Sequence, residues 1–176
     1  QMLEALKRAG VNHLVLAVES GSERVLRHVM HKPLKLTIAQ RVANDCRELG
    51  IYASVNILIG MPGETKKDIE DAREFLKTIN ANWFIILCAS PLVGSEMYVV
   101  CEDNGYLKDN YLGADYRRAV VETKDFTAAY IQETLYDFNI ELNFVCNADV
   151  RLGCYAIALP SFENAIRAKN DHAIAY

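Results

Sequence analysis

Glu19 and Asn56 are polar side chains set into otherwise apolar stretches, residues 11–19 and 51–59. Burying a carboxylate or an amide there is costly unless the group is solvated, partnered or presented to a ligand. Glu19 follows His13, Val15 and Ala17 at alternate positions, and Asn56 alternates with Tyr52, Ser54 and Leu58. Both therefore suit a ligand-facing strand mouth. Glu19 suits equally a role as a helix cap or as the partner of a base. The run GMPGETKK at residues 60–67 joins glycine amides to a helix start, the ingredients of an anion site. Walker spacing is absent, because Gly60 and Gly63 stand too close and an acid follows Gly63, so a plain strand-to-helix turn is the commoner explanation. His28 and His31 are three apart and could share a helix face, yet neither they nor His13 and His172 form a metal-ligand pattern with a cysteine. Five cysteines (Cys46, Cys88, Cys101, Cys146, Cys154) also lack metal-type spacing and read as reduced packing residues. Ser20 and Ser22 lack the GxSxG context of a hydrolase nucleophile. Residue chemistry alone thus describes an α/β domain with an unassigned strand-end site.

The elements that would position these groups follow from hydrophobic period. Residues 3–9 and 38–49 carry helical patterns, each closed by a glycine (Gly10, Gly50), and each glycine is followed at once by an apolar strand pattern, 11–19 and 51–59. A third round has Ile69, Ala72, Phe75, Leu76 and Ile79 on one helical face, then Asn80, then a strand over 83–89. A helix, left-handed stop and strand used three times predicts parallel strands joined by crossovers. Capping boxes are expected at Ser20 with Glu23 and at Thr37 with Gln40, Thr65 with Asp68 suits the start of a helix, and Pro33 stops the first short one. After Ala89 come a turn, a short helix around 96–104 stopped by Gly105, and a polar, tyrosine-rich connection over 108–124. Thr127 can cap a long helix whose buried face is Ile131, Leu135, Phe138, Leu142 and Val145, and Leu159, Phe162, Ala165 and Ile166 mark another. The helical last third is expected to close one edge or the bottom of the sheet.

The 176 residues suffice for one domain with a proper core, and 51% hydrophobic with 24% charged residues is ordinary for a globular chain. A net charge of -4 argues against a dominant nucleic-acid or anionic-membrane footprint. The longest apolar run, 83–89, is far short of a membrane span, so a cytoplasmic setting is expected. The chain opens on Gln1 within a helical pattern, which reads as a fragment of a longer protein.

Three segments taken in order, AVESGSERVLRHVMHK (17–32), ELGIYASVNILIGMPGETKKDIEDAREFL (48–76) and CASPLVGSEMY (88–98), resemble the C-terminal half of a radical S-adenosylmethionine (radical SAM) domain. The likeness covers about residues 3–107 and is to the branch that holds the cobalamin-binding-domain proteins and the methylthiotransferases. It implies a partial (β/α) barrel whose last three β/α units lie in residues 1–107, with a helical extension over 108–176. It places Glu19, with the adjoining Ser20, near the methionine or ribose part of the cofactor and Asn56 near the ribose. Leu58 and Ile59 would flank the adenine, and the backbone around Ala89 would lie near it. His31 falls where relatives often carry Arg or Lys, with Lys32 beside it, and Val93 and Ser95 stand where proline and threonine are common. The cofactors implied for the parent protein are S-adenosylmethionine and a [4Fe-4S] cluster, with cobalamin as a further candidate. The CxxxCxxC loop that holds such a cluster is missing from this sequence. The expectation is therefore a C-terminal fragment of a radical SAM oxidoreductase or transferase, inert alone. A small-molecule cofactor and an unknown substrate would be its ligands, with no nucleic acid or membrane partner and with self-association through exposed barrel edges. The alternatives are a cluster-free binding or scaffold module and a hydrolase-like or phosphate-binding α/β domain.

Overall fold

Strands β1 (His13–Glu19), β2 (Tyr52–Ile59) and β3 (Trp83–Cys88) lie parallel and in chain order in the computed structural model. The structure describes residues 1–108, 111–112 and 115–176. Helix α1 (Met2–Arg8) leads into β1, α2 (Glu23–His28) and α3 (Leu36–Glu48) connect β1 to β2, and α4 (Lys66–Thr78) connects β2 to β3. Beyond the sheet come α5 (Glu96–Asp103), α6 (Ala128–Ile140), a π-helical turn (Glu141–Val145), α7 (Ala148–Arg151) and α8 (Tyr155–Ala168). The α/β class and the three parallel strands agree with the sequence pattern. Among the described residues the sheet is an open layer of three strands rather than a barrel.

The strand alternation separates two faces. Val18, Val55, Ile57, Ile59, Phe84 and Ile86 are buried against Leu26, Ile69, Leu76, Ile131, Phe138 and Leu142, which makes one continuous core beneath the helices. The other face aligns Ala17 with Asn56 and Ile85, and Leu58 with Leu87. No helix layer covers its β1 side, where Val15 is 50% exposed. At the amino ends of the strands this face is closed by the C-terminal segment: Trp83 meets Phe144 edge-on, Phe144 packs on Phe162, and the Tyr52 hydroxyl lies 3.3 Å from Ser161 Oγ.

Gly10 and Gly50 end α1 and α3 with φ of +90° and +63°, as their spacing predicts. The third unit differs, because α4 stops at Ile79 in an extended conformation and Asn80 does not take the left-handed region. The Asn80 carbonyl accepts from Arg47 Nη2 at 3.1 Å instead. The box of Thr65 with Asp68 is present, and Thr127 caps α6. Two other expected boxes are not formed. Helix α2 starts two residues later, with Ser22 as N-cap, because Ser20 Oγ accepts from the Ser22 amide at 3.1 Å and Ser22 Oγ faces Asp68 on α4. Helix α3 opens at Leu36, whose burial in the core draws the start ahead of Thr37, and no side chain caps it. The connection over 108–124 is tied back to the residue before it by an antiparallel bridge between Val121 and Leu107, and the parts of it at 109–110 and 113–114 lie outside the described residues.

The π-helical turn changes the register of the last third. It turns Val145 outward to 63% exposure, against the expected buried stripe, and brings Asn143 fully inside. Asn143 then completes the far edge of β3 in place of a strand: its Oδ1 accepts from the Phe84 amide at 2.7 Å and its Nδ2 donates to the Phe84 carbonyl at 2.9 Å. Replacing Asn143 by Leu leaves both main-chain groups buried without partners, so stability should fall by about 2–4 kcal/mol in urea unfolding. A loss under about 0.5 kcal/mol would mean that water or another group satisfies the edge. Among the described residues no helix is long and apolar enough to cross a membrane.

Candidate functional site

A cleft of about 400 Å³ opens at the carboxyl ends of β1 and β2, between Glu19, the segment 29–32, the Met61–Pro62 loop and the first turns of α5. Three of the protein's four methionines, Met30, Met61 and Met97, line it with Leu58. Such a wall is apolar and adapts its shape to a flat or irregular ligand. The polar groups in the lining are Glu19, His31, Lys32, Ser95 and Glu96.

Glu19 reaches this position through a break in the strand. The pairing of β1 with β2 slips between Ala17 and Glu19, and Glu19 takes φ +71°, a region that costs a side-chain-bearing residue on the order of 1 kcal/mol. Its Oε1 lies 3.6 Å from Lys32 Nζ, so the ion-pair alternative weighed for this residue is realised and the helix-cap alternative is not. Asn56 sits on the open face of β2, and its Oδ1 is buried with no hydrogen-bond partner among the described residues. Such an oxygen is costly to leave unpaired, and none of the described residues supplies the donor it needs. Leu58 is on the same face. Ile59, Ser20 and Ala89 are not: Ile59 points into the helix-side core, Ser20 is buried at the turn, and the Ala89 amide donates to the Ile59 carbonyl at 2.8 Å. The structure thus brings Glu19 and Leu58 to one cleft, with Asn56 outside its lining but two residues before Leu58 on the same strand face, and it leaves the other three candidates behind that surface.

Sequence reasoning passed over Glu64, treating it only as the acid that spoils a phosphate loop. Its side chain turns inward, where Oε2 accepts from the amides of Gly60 (2.7 Å) and Met61 (3.2 Å) and Oε1 has no partner among the described residues. It holds the loop that forms the cleft's floor. The signal was available in its position, four residues after a strand-ending glycine whose amide needs an acceptor. Burial raises its pKa from 4.5 to about 7. Nearby Asp68 moves the other way, held well below the usual carboxylate range first by Arg24, whose Nε donates to it at 2.7 Å. These shifts have opposite consequences. A protonated Glu64 in the folded state and an ionised one in the unfolded chain mean that stability falls as pH rises from 4.5 to about 7. Asp68 contributes stability that is present above 3.8 and lost as pH drops further. Glu64→Gln should remove a decline of about 3 kcal/mol over the first window, seen as the difference between the two proteins' urea midpoints across pH. Parallel pH profiles would show that Glu64 is solvated.

Burial pushes the thiols of Cys88 and Cys101 up to about 11 and raises that of Cys46, the reverse of what a metal thiolate requires. Among the described residues no group of His, Cys, Asp and Glu is arranged to hold a metal ion.

Comparison with known proteins finds the family described as the Radical SAM superfamily over residues 1–76. The chain is 24% identical over 152 residues to cytidylyl-2-hydroxyethylphosphonate methyltransferase of Streptomyces wedmorensis, covering 81% of this chain and 28% of that protein. It is 31% identical over 90 residues to threonylcarbamoyladenosine tRNA methylthiotransferase MtaB of Treponema pallidum, covering 50% of this chain and 18% of the other. With tRNA-2-methylthio-N(6)-dimethylallyladenosine synthase of Pseudomonas savastanoi pv. phaseolicola it shares 29% identity over 86 residues, 48% of this chain and 20% of that one. The matches therefore span less than a third of each relative's own length.

Proposed function

Because residues 1–76 match the radical SAM superfamily, we propose that this chain forms the later staves of a radical SAM barrel and supplies part of the S-adenosylmethionine and substrate pocket of an iron–sulfur transferase. The observation that supports this most directly is the unpaired, buried Oδ1 of Asn56 on the uncovered sheet face, in line with the cleft that Glu19 and Leu58 border. An adenosyl ligand matches that set. The Glu19 carboxylate would accept from the methionine ammonium or a ribose hydroxyl while Lys32 fixes its position, and Asn56 would accept a ribose hydroxyl. Leu58 and the methionines would exclude water from the adenine, and Ser20, engaged by the Ser22 amide, would hold the turn that presents Glu19. Ile59 and Ala89 would shape the pocket from behind, through the main-chain link between them.

When bound next to a reduced cluster, S-adenosylmethionine supplies a carbon radical that abstracts hydrogen, chemistry that belongs to the cofactor. The cluster itself does not fit this chain, which lacks CxxxCxxC and keeps its buried thiols protonated. In this reading its ligands belong to other sequence of the parent protein, this chain alone is inactive, and no residue here is assigned to cobalamin. The outer side of β1 has no neighbouring strand among the described residues and would receive the preceding stave, whereas Asn143 terminates β3. The methyl and methylthio transfer in the relatives' names supports group transfer as the broad reaction class.

Titration of the full chain with S-adenosylmethionine, followed by NMR, tests this reading. Saturable shifts at the Asn56 side-chain amide and the Leu58 methyls are expected, with an affinity on the order of a millimolar in the absence of the cluster, and they should vanish in Asn56→Leu. A titration that leaves the cleft signals unmoved, or moves them equally in the variant, overturns it.

A further inference from the structure

The mouth of the cleft continues over His31 and Lys32 into a second groove of about 370 Å³, whose charged lining is Arg27, Lys32 and Lys35 with a single acid, Glu23, and which His31 also borders. The chain as a whole carries a net charge of -4, so this groove opposes the sign of the molecule. Lys32 is committed to Glu19 and to the Ala17 carbonyl. Arg27 and Lys35 make no side-chain hydrogen bond or ion pair among the described residues, although Glu23 and Arg27 line the same groove. His31 joins the two cavities and is held at φ +51°, a strained setting for a residue with a side chain, while the Lys32 amide closes the turn onto the Leu26 carbonyl at 2.7 Å. The first turn of α3, which Lys35 precedes as its N-cap residue, contains no acid that would offset these cations. Arg27 in the last turn of α2 complements that helix end, but Lys35 precedes the N-terminus of α3, where a helix favours negative charge, and has no such role.

From this we infer a binding site for a small ligand bearing a phosphate or diphosphate group, with Arg27 and Lys35 as its cationic walls and His31 at its inner end. A phosphoryl oxygen takes the charge-assisted hydrogen bonds that Arg27 and Lys35 leave unused, and the concave shape bounded by Pro33 and Leu34 suits a head group more than a polymer. The groove and the cleft share His31 and Lys32, so a substrate anchored by its phosphate could extend its reacting part into the cleft. That extension rests on the reading of the cleft as a cofactor pocket; the anion site does not.

The experiment is a titration of the full chain with inorganic pyrophosphate at low ionic strength, followed by NMR. Saturable shifts at Arg27, His31 and Lys35 are expected, and binding should be about tenfold weaker in the double variant Arg27→Gln/Lys35→Gln. Both residues are exposed, so the variant should keep the parent's circular dichroism and unfolding midpoint. A control with the same loss of charge elsewhere, Arg41→Gln/Lys124→Gln, should bind as the parent does. Absence of saturable shifts, or equal weakening in the control, overturns the site. Tighter binding of a short single-stranded RNA than of pyrophosphate, lost in the first variant, would make the groove an RNA surface and also overturn the small-ligand assignment. Loss of pyrophosphate binding with intact cofactor shifts at Asn56 would remove this inference and leave the reading of the cleft standing; the converse result would do the opposite.

Discussion

Gly21→Ala is expected to destabilise the protein by about 3 kcal/mol or more and to displace Glu19 from the cleft. A Cβ on Gly21 would lie 2.8 Å from both the Cα and the carbonyl oxygen of Ala72, inside α4. The obstacle is main chain, which cannot rotate away, so relief requires the turn after β1 and the helix to part. That turn carries Glu19 and Ser20 and begins α2, whose Arg24 and Ser22 bond Asp68 on α4. Separation therefore also loosens a buried polar cluster. Urea unfolding reads the loss of stability, and the Leu58 methyl signals read the loss of the cleft. Ala72→Gly removes only the Cβ contact at 3.1 Å and should not rescue the variant. A loss below about 1 kcal/mol, or rescue by Ala72→Gly, would show that the helix backbone is not what excludes a side chain here.

Asp149→Ala should have an effect of similar size at the opposite end of the strands. Asp149 is 1% exposed, its Oδ1 lies 2.6 Å from Arg47 Nη1, and both of its oxygens accept from Asn82 Nδ2 at 3.0 Å. Asn82 in turn accepts from the Ala53 amide at 2.7 Å, so one carboxylate ties α3, β2, the entry to β3 and α7 together. Truncation removes the counter-charge of a largely buried guanidinium, which keeps only the Asn80 carbonyl among the described residues, and leaves the Asn82 amide donor without its acceptor, a loss of about 3 kcal/mol. Replacing the pair together, as Arg47→Met with Asp149→Leu, removes the unpaired charge and should recover about half of the loss or more in urea unfolding. Equal destabilisation by the single and double variants would show that packing of α7, not charge, dominates.

The shifted starts of α2 and α3 and the π-helical turn show where sequence reading reached its limit. Ser20, Thr37 and Thr65 each precede a suitable partner by three residues, yet only Thr65 uses it, because Ser20 serves the turn at Ser22 and the burial of Leu36 outweighs a cap at Thr37. Local spacing offers a hydrogen bond; packing decides whether it is taken. Asn143 was invisible for a related reason. A regular helix would bury Val145, and only the presence of the unpaired β3 edge makes a five-residue turn that brings an amide inward the better solution.

Alternation along residues 51–59 determined by itself which side chains share a face, so Asn56 and Leu58 could be assigned together and the parallel strand order followed from the repeated helix and strand. The order of the ESGS, GMPGET and SPLVGS segments was equally a property of the sequence, because such a pattern depends on residue identity and spacing alone. The tertiary structure alone decided that Ile59 lies behind the cleft, that Glu64 clamps its floor, and that Arg27 of α2 and Lys35, just ahead of α3, border one groove with His31 between it and the cleft. Those facts depend on which elements pack against one another and on where water is excluded, and neither is written in the period of any one segment.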